Sequence, residues 1–330
     1  MKIEIPKIKE TLVKIILSKS KLTKEEAEIL AGDYLEGELQ GKQSHGLSAF
    51  PAVVEKLADA HGNFSIIKET NSFIFADAQG GFGALVGRKI ASLLIEKAKK
   101  EGIAFGIIRE MKSWLRPAQI AQYVSENDMV AWVVNTGGPP MVAPPGGREP
   151  VIGTNPIGIG IPMEKLPLVI DMATSTRAWG EVRLAKKFNH KLPKNSFLDK
   201  DGVVTENVDE AYAAIPAGGY KGFSIGLLIE ILGGSLVGMN MGKGDVNEAY
   251  HTRNRGATIL VINPEMTVGK EEFKNKNEEF INLIKNSPPT KGSKKVTLPG
   301  DRALTTKKNN LDNGYLEIDD NLCKEIESLN

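Results

Sequence analysis

Cysteine is almost missing from this chain of 330 residues. Cys323 stands alone, which excludes a disulfide framework and any metal site built on thiolates. Histidine is scarce as well. His45, His61, His190 and His251 include no pair at the helical or hairpin spacing of metal ligands, and no metal site is expected. Neither sign of charge is in excess. Lys and Arg number 42, Asp and Glu 41, and the formal net charge is +1. That leaves no basic patch for nucleic acid and no acidic tail. The opening "MKIEIPKIKE" is too charged for a signal peptide, and no apolar run reads as long enough for a membrane span. A soluble cytoplasmic protein is expected, with no nucleic-acid or membrane partner.

What is present is apolar material and glycine. Hydrophobic residues make up 41% of the chain, enough for a large core divided between two or three lobes. The 34 glycines cluster in the middle of the sequence, where they predict tight turns close to a ligand.

Residues 6–60 read as helical. Thr23 to Glu26 ("TKEE") is a capping box, and Ala27, Leu30, Ala31, Tyr34, Leu35 and Leu39 follow at helical spacing. Ser44 is placed to cap a further helix through "LSAFPAVVEKLADA". From 71 the pattern alternates. Strands are expected at "NSFIFADA", "IAFGIIRE", "MVAWVVNT", "PLVIDMATS" and "ATILVINP". Helices are expected at "GALVGRKIASLLIEKAKKEG", ending at Gly102, at 117–126, and as a buried helix at "KGFSIGLLIEILGGSLVG". Beyond about 270 the chain is polar and helical again, with a loop through "SPPTKGSKKVTLPGDRA". The order predicts an α/β protein with a central lobe at 71–264. A helical segment, 1–70, is expected to pack with 265–330.

Four features bear on chemistry. "GGFGALVG" follows a strand and opens a helix, the setting of a dinucleotide fingerprint. Its glycines, Gly81, Gly83 and Gly87, are spaced one residue too long, and no acidic residue ends the next strand at the usual distance. A plain glycine-rich turn is the better reading. "SHG" puts Ser44 and His45 at a helix start, as a cap or as part of a proton relay. "VIDMATS" ends an apolar strand on Asp171, a favoured place for a ligand contact, although an Asp there also caps turns. "PAGGYKGFSIG" brings Lys221 to a glycine-flanked helix start, beside free N–H groups suited to phosphate or carboxylate, or leaves it as a solvated lysine.

Taken together, "SHG" (44–46), "PPGG" (144–147), "GTNPIGIGIP" (153–162), "DMATSTRAWG" (171–180), "AIPAGGYKG" (214–222), "LVINP" (260–264) and "PGDRAL" (299–304) resemble the type-2 malate/L-lactate dehydrogenase family over nearly the whole chain. The resemblance implies a non-Rossmann mixed-sheet α/β lobe flanked by a helical domain from both chain ends. It implies a homodimer and a bound NAD or NADP. It places cofactor contacts at Ser113, Trp114 and Leu115, at Asp171, Met172 and Ala173, at Lys221, and at Gly300, Asp301 and Arg302. It also implies that Ser44, His45 and Asp171 act as a relay in transferring a hydride to or from a small 2-oxo or 2-hydroxy acid. An imidazole titrating near neutrality suits the accompanying proton. A cyclic imino-acid reductase and a dinucleotide-binding homologue without catalysis are the alternatives.

Three positions depart from the family. Ala49 stands where an Arg usually grips the substrate carboxylate. Ser113 stands where a second His is usual, and Glu181 where a Lys follows "WG". With Ala49 unable to hold an acid, the nearest basic candidate is Arg116, in "SWLRP", with Ser113 beside it. Its planar fork matches a carboxylate, and Pro117 is placed to fix where it points.

Overall fold

The computed structural model describes residues 1–114, 116–242 and 255–329. The two chain ends are sewn together. β1 (Lys2–Glu4) pairs antiparallel with β12 (Tyr315–Glu317). α1 (Ile5–Lys19) and α2 (Lys24–Leu39) bury Leu12, Ile15, Ile16 and Leu30 against Leu322 and Ile326 of the last helix, α10 (Asp320–Glu327). α2 starts as its sequence dictates. The Thr23 side chain accepts from the Glu26 N–H and the Glu26 side chain accepts from the Thr23 N–H, a complete capping box.

The central sheet has seven strands in the order β2 (Ser65–Glu69), β3 (Phe73–Asp77), β4 (Ile103–Met111), β11 (Arg255–Ile262), β5 (Val130–Asn135), β6 (Ile157–Ile161) and β7 (Leu168–Met172). Only β3 and β4 run parallel. Their crossover is α4 (Gly83–Glu101), stopped by Gly102 in the left-handed region at φ 80°. α4 and α5 (Ala118–Ser125) cover one face, over Ala131, Val133, Ala257, Ile259 and Val261. On the other face Ile229 of α7 (Tyr220–Gly233) meets Val134 and Ile157, the alternation a pleated strand imposes. A smaller sheet of β8 (Phe197–Leu198), β9 (Val204–Thr205) and β10 (Ala213–Ala214) follows α6 (Gly180–Phe188). α8 (Lys270–Lys285) and α9 (Asp301–Asn313) precede the final strand and helix.

Glycine in this fold serves close approach more than turning. In β6, a Cβ on Gly158 would lie 2.6 Å from the Ala118 nitrogen, and one on Gly160 would sit on the Ala121 carbonyl. The "IGIGI" pattern therefore lets α5 lie directly on the strand. The turn at Gly81–Gly87 is explained in the same way. A Cβ on Gly83 would be 2.7 Å from the Trp114 Cβ, and one on Gly87 3.1 Å from the far edge of its ring. These glycines seat an indole.

Several sequence expectations need correction. β2 belongs to the central sheet, so the lobe begins before residue 71. β1, β6 and β12 lie outside the stretches whose pattern predicts a strand. Ser44 caps no helix. It sits in a short 3₁₀ turn, Gln43–His45, and the helix after it, α3 (Phe50–Val54), is five residues long without a side-chain cap. α8 has no buried residue. α7 is only half buried, with Ile225, Leu227, Leu228 and Ile231 all about 40% exposed. The stretch Tyr220–Val237 is long and apolar enough to cross a membrane by length and composition, with 39% of it buried in the fold. It carries Glu230 in its interior, hydrogen-bonded by Asn155 Nδ2 and the Gly242 N–H at 2.8 Å each.

Two glycine substitutions should separate close packing from mere flexibility. Gly160→Ala, which meets backbone, should cost roughly 1–3 kcal/mol. Gly32→Ala, in the middle of α2 with nothing within 4 Å of the added methyl, should gain roughly 0.5–1 kcal/mol through helix propensity. Urea unfolding of the two variants checks both signs.

Candidate active site

The site lies where the end lobe meets the last strand of the sheet. Three backbone approaches set the position of Ser44 and His45. A Cβ on Gly37 of α2 would overlap the His45 carbonyl. One on Gly46 would be 2.9 Å from the Glu38 nitrogen, and one on Gly180 would be 2.6 Å from the Ser44 Cβ. The glycines of "SHG" and "WG" thus clamp the turn between α2 and α6. Beneath it, the half-buried Glu38 carboxylate accepts from the Leu47 N–H at 2.9 Å, and burial raises its pKa.

Within the turn the Ser44 hydroxyl and His45 Nδ1 are 2.9 Å apart. The His45 N–H donates to the Lys42 carbonyl at 2.8 Å. This is the i, i+3 bond of a 3₁₀ turn, which stacks side chains three apart on one edge. Lys42 and His45 therefore face the same way, and Lys42 reaches Asp171.

Asp171 occupies the last turn of β7, as its strand pattern predicts. Its Oδ2 accepts from Arg116 Nη1 at 3.0 Å and, very closely, from Lys42 Nζ. Of the three residues expected to form a relay, only Ser44 and His45 are joined by a hydrogen bond among the described residues. Asp171 acts on the imidazole through charge. Arg116 is 4% exposed. Both of its side-chain bonds leave from Nη1, one to Asp171 and one to Gln40 Oε1 at 3.0 Å. Its Nε is enclosed without a partner. Its carbonyl accepts from Trp114 Nε1 at 3.1 Å, and the Trp114 carbonyl accepts from Arg255 Nη1 at 2.8 Å. The Trp114 ring itself is packed on α4 and is 4% exposed.

Segments that the family resemblance assigns to the cofactor pack along the same strand. A Cβ on Gly300 would be 3.1 Å from the Val169 carbonyl, which brings the start of α9 against β7. Gln40 Nε2 bonds Glu36 Oε1, which also accepts from Lys307 Nζ, both at 2.7 Å. Asn310 Nδ2 bonds the Leu39 carbonyl at 2.9 Å. These bonds fix α9 along α2 and set the Arg302 charge near Lys42. The Ala217 N–H bonds the Thr174 carbonyl at 2.9 Å, which draws the start of α7, with exposed Lys221, to the chain just past Ala173. Ser113 follows β4 at φ 36° and makes no contact with Asp171 or His45 among the described bonds. Leu115 and His251 lie outside the described residues.

The electrostatics follow from crowding cations around one acid. Burial opposes the Asp171 charge, but Arg116 and Lys42 outweigh it and hold the carboxyl below its usual range. Burial and then Arg116 and Arg302 lower the Lys42 pKa against the pull of Asp171. For His45, burial is the largest cause and Arg116 the next. Arg183 and Lys42 add to them, Asp171 opposes, and the imidazole falls to about 4. Lys42, Gln40, Arg183 and Arg255 were not anticipated. The one available signal was the spacing of Lys42, three residues before His45.

With this geometry in place, comparison with known proteins is decisive. The family described as Malate/L-lactate dehydrogenase matches residues 6–327. The chain belongs to this family. L-sulfolactate dehydrogenase of Methanocaldococcus jannaschii is 33% identical over 98% of this chain and 95% of that protein. The structure of malate dehydrogenase from Pyrococcus horikoshii superposes with a TM-score of 0.89 at 26% identity, covering 100% of this chain and 94% of the other. A Delta(1)-pyrroline-2-carboxylate/Delta(1)-piperideine-2-carboxylate reductase of Pseudomonas syringae pv. tomato is 28% identical over 88% of this chain and 86% of its own length. Membership makes this chain an oxidoreductase of hydroxy acids that works with a nicotinamide cofactor.

His45 supplies a test of the site in the ligand-free protein. An unfolded His titrates near 6.5, and the folded one at about 4, so between these values the unfolded chain binds the extra proton. The contribution of neutral His45 is present above pH 6.5 and is lost as pH falls through 4, on the order of 3 kcal/mol. The His45 C2–H resonance, assigned by its absence in His45→Asn, should have its midpoint near 4. His45→Asn should remove the corresponding loss of stability on acidification. A midpoint near 6.5 would place the imidazole outside the cation cluster.

Proposed function

We propose that this chain transfers a hydride between NAD or NADP and the C2 carbon of a small anionic 2-hydroxy or 2-oxo acid, in the cytoplasm, as a homodimer. The observation that supports the substrate class most directly is Arg116. A guanidinium this deeply buried, with one nitrogen carrying both its described bonds and a single acid oxygen shared with Lys42, keeps positive charge that Asp171 does not neutralise. A carboxylate is the group that suits such a cation. Ala49, half-buried against the core of the end lobe, supplies no alternative.

The donor set around the end of β7 fits a dinucleotide. Lys221 and Arg302 are exposed cations at helix starts, Gly218 and Gly219 turn with positive φ, and a Cβ on Gly219 would meet nothing. Asp171, Met172 and Ala173, with Gly300, Asp301 and Arg302, would hold the cofactor, and Ser113 and Trp114 shape the neighbouring loop. When bound, the cofactor supplies or accepts the hydride. In this reading the chain's own groups do the rest. Arg116 fixes the acid, and the imidazole of His45 gives a proton to the substrate oxygen or takes one from it. Ser44 holds Nδ1, and the Asp171 charge supports the protonated ring. Neutral in the free protein, His45 is ready as a base toward a hydroxy acid. An arriving anion raises its pKa for the reverse direction.

A face of α7 with Ile225, Leu227, Leu228 and Ile231, and the tip of α8 with Phe280 and Leu283, are exposed apolar surface. Surface of this kind marks an interface, and a second copy of the chain is the occupant we assign. The first residues of α7 adjoin the cofactor segment, so this interface runs beside the site.

Turnover of either cofactor across 2-oxo acids, 2-hydroxy acids and cyclic imino acids tests the reading. Activity on an open-chain acid is expected. Activity confined to imines would move the chain to the second reading, which the Pseudomonas reductase favours, and cofactor binding without turnover to the third. On the best acid, Arg116→Ala should raise KM by the equivalent of ~2–5 kcal/mol, since it leaves a buried charge unpaired. His45→Asn should lower kcat by ~10²–10⁴. Cofactor affinity should hold in both. In sedimentation at low micromolar concentration the protein should run as a dimer, and a stable monomer would refute that part.

A further inference from the structure

We propose that Lys42 is a positioning residue of this site: by sharing Asp171 Oδ2 with Arg116, it takes up part of the negative charge that would otherwise neutralise Arg116 and leaves the guanidinium charge for the substrate anion. The inference rests on the oxidoreductase reading and adds to it a residue that neither the motifs nor the family resemblance assigns.

The argument starts from geometry. A carboxylate beside a buried Arg ordinarily takes it with two parallel N–H···O bonds, the strongest arrangement available to the pair. Here it does not. Arg116 gives Asp171 one nitrogen, Nη1, and that nitrogen also serves Gln40. The oxygen it reaches, Oδ2, is the one Lys42 occupies. Two cations on one oxygen repel each other, and the cost is tolerated only because one negative charge lies between them. Lys42 also adds a positive charge beyond what Asp171 neutralises. Its side chain is 28% exposed against 5% for Arg116, so it approaches from the solvent side, where a ligand enters.

The charged groups acting on His45 are Lys42 on its own turn, Asp171 on β7, Arg116 on the loop after β4, and Arg183 on α6, with Glu38 of α2 held on the Leu47 N–H beneath the turn. Lys42 acts on the imidazole by two routes of the same sign. Its charge repels the proton, and its hold on Asp171 weakens the group that attracts it. Removing Lys42 should therefore raise the His45 midpoint. At the same time Asp171 is left to neutralise Arg116 alone, which weakens the pull of the guanidinium on the substrate anion.

Lys42→Met and Lys42→Arg separate these effects from simple loss of structure. In Lys42→Met, KM for the preferred 2-oxo acid should rise roughly tenfold or more. The cofactor dissociation constant should stay unchanged, and the His45 C2–H midpoint should move up from its wild-type value. Lys42→Arg restores the charge, so it should return the His45 midpoint and recover part of KM. An unchanged KM in Lys42→Met with an unmoved His45 midpoint would overturn the proposal. Equal losses in both variants, with His45 unmoved, would also overturn it and make Lys42 a purely structural residue. The NMR titration needs no turnover. If the wild-type protein reduces nothing in the panel, the oxidoreductase reading fails while the His45 midpoints still decide the role of Lys42.

Discussion

One carboxylate oxygen organises this site. Asp171 Oδ2 carries Arg116 and Lys42 together, and everything around it is arranged to hold that surplus of positive charge in a partly dry space. Net burial of unlike charges is rarely a gain in stability, because desolvation removes most of what attraction returns. An excess of cations over anions is worse still, and a protein keeps such an excess where a ligand completes it. Two cations on one Asp171 oxygen favour an anion as the natural occupant, beside the half-buried Asp33 that also attracts Arg116.

The scaffold explains how the excess is endured. α2 ends in Gln40, which shares Arg116 with Asp171, and Gln40 is itself fixed through Glu36 to Lys307 on α9. Trp114 anchors the Arg116 carbonyl, and its indole is seated on two glycines of α4. The guanidinium is thus held from both lobes and does not relax into solvent. Precise placement of this kind is what positioning catalysis requires. The extended glycine spacing at Gly81–Gly87, which argued against a dinucleotide turn, has a positive use in the same scheme.

The sequence made some of this legible and hid the rest for identifiable reasons. The capping box at Thr23, the stop at Gly102 and the apolar run into Asp171 are local signals, and each appears where it was read. β6 was hidden because its glycines exist for α5, a partner distant in sequence, and glycine argues against strand on propensity alone. Ser44 is no cap because its place is set by Gly180 against its Cβ and by Gly37 against the next carbonyl, not by its own helix. Lys42 was overlooked because its partner is 129 residues away and nothing in "GKQSHG" announces an acid across the cleft. Pairings made by tertiary structure are the ones a linear pattern cannot carry.

The change at Ala49 and the Arg at 116 are best understood as one substitution of place. An Arg at 49 would reach out from the end lobe, through a 3₁₀ segment next to the Ser44–His45 turn. Ala49 instead packs toward the core of the chain ends, and the guanidinium enters from the loop that follows β4. Moving the cation to the sheet side puts it within one hydrogen bond of Asp171, where it would be neutralised unless a competitor shared that oxygen. Lys42 is that competitor. An anchor relocated toward an acid requires a second cation to keep it available, and the two unusual basic residues of this site are consistent with a single physical demand.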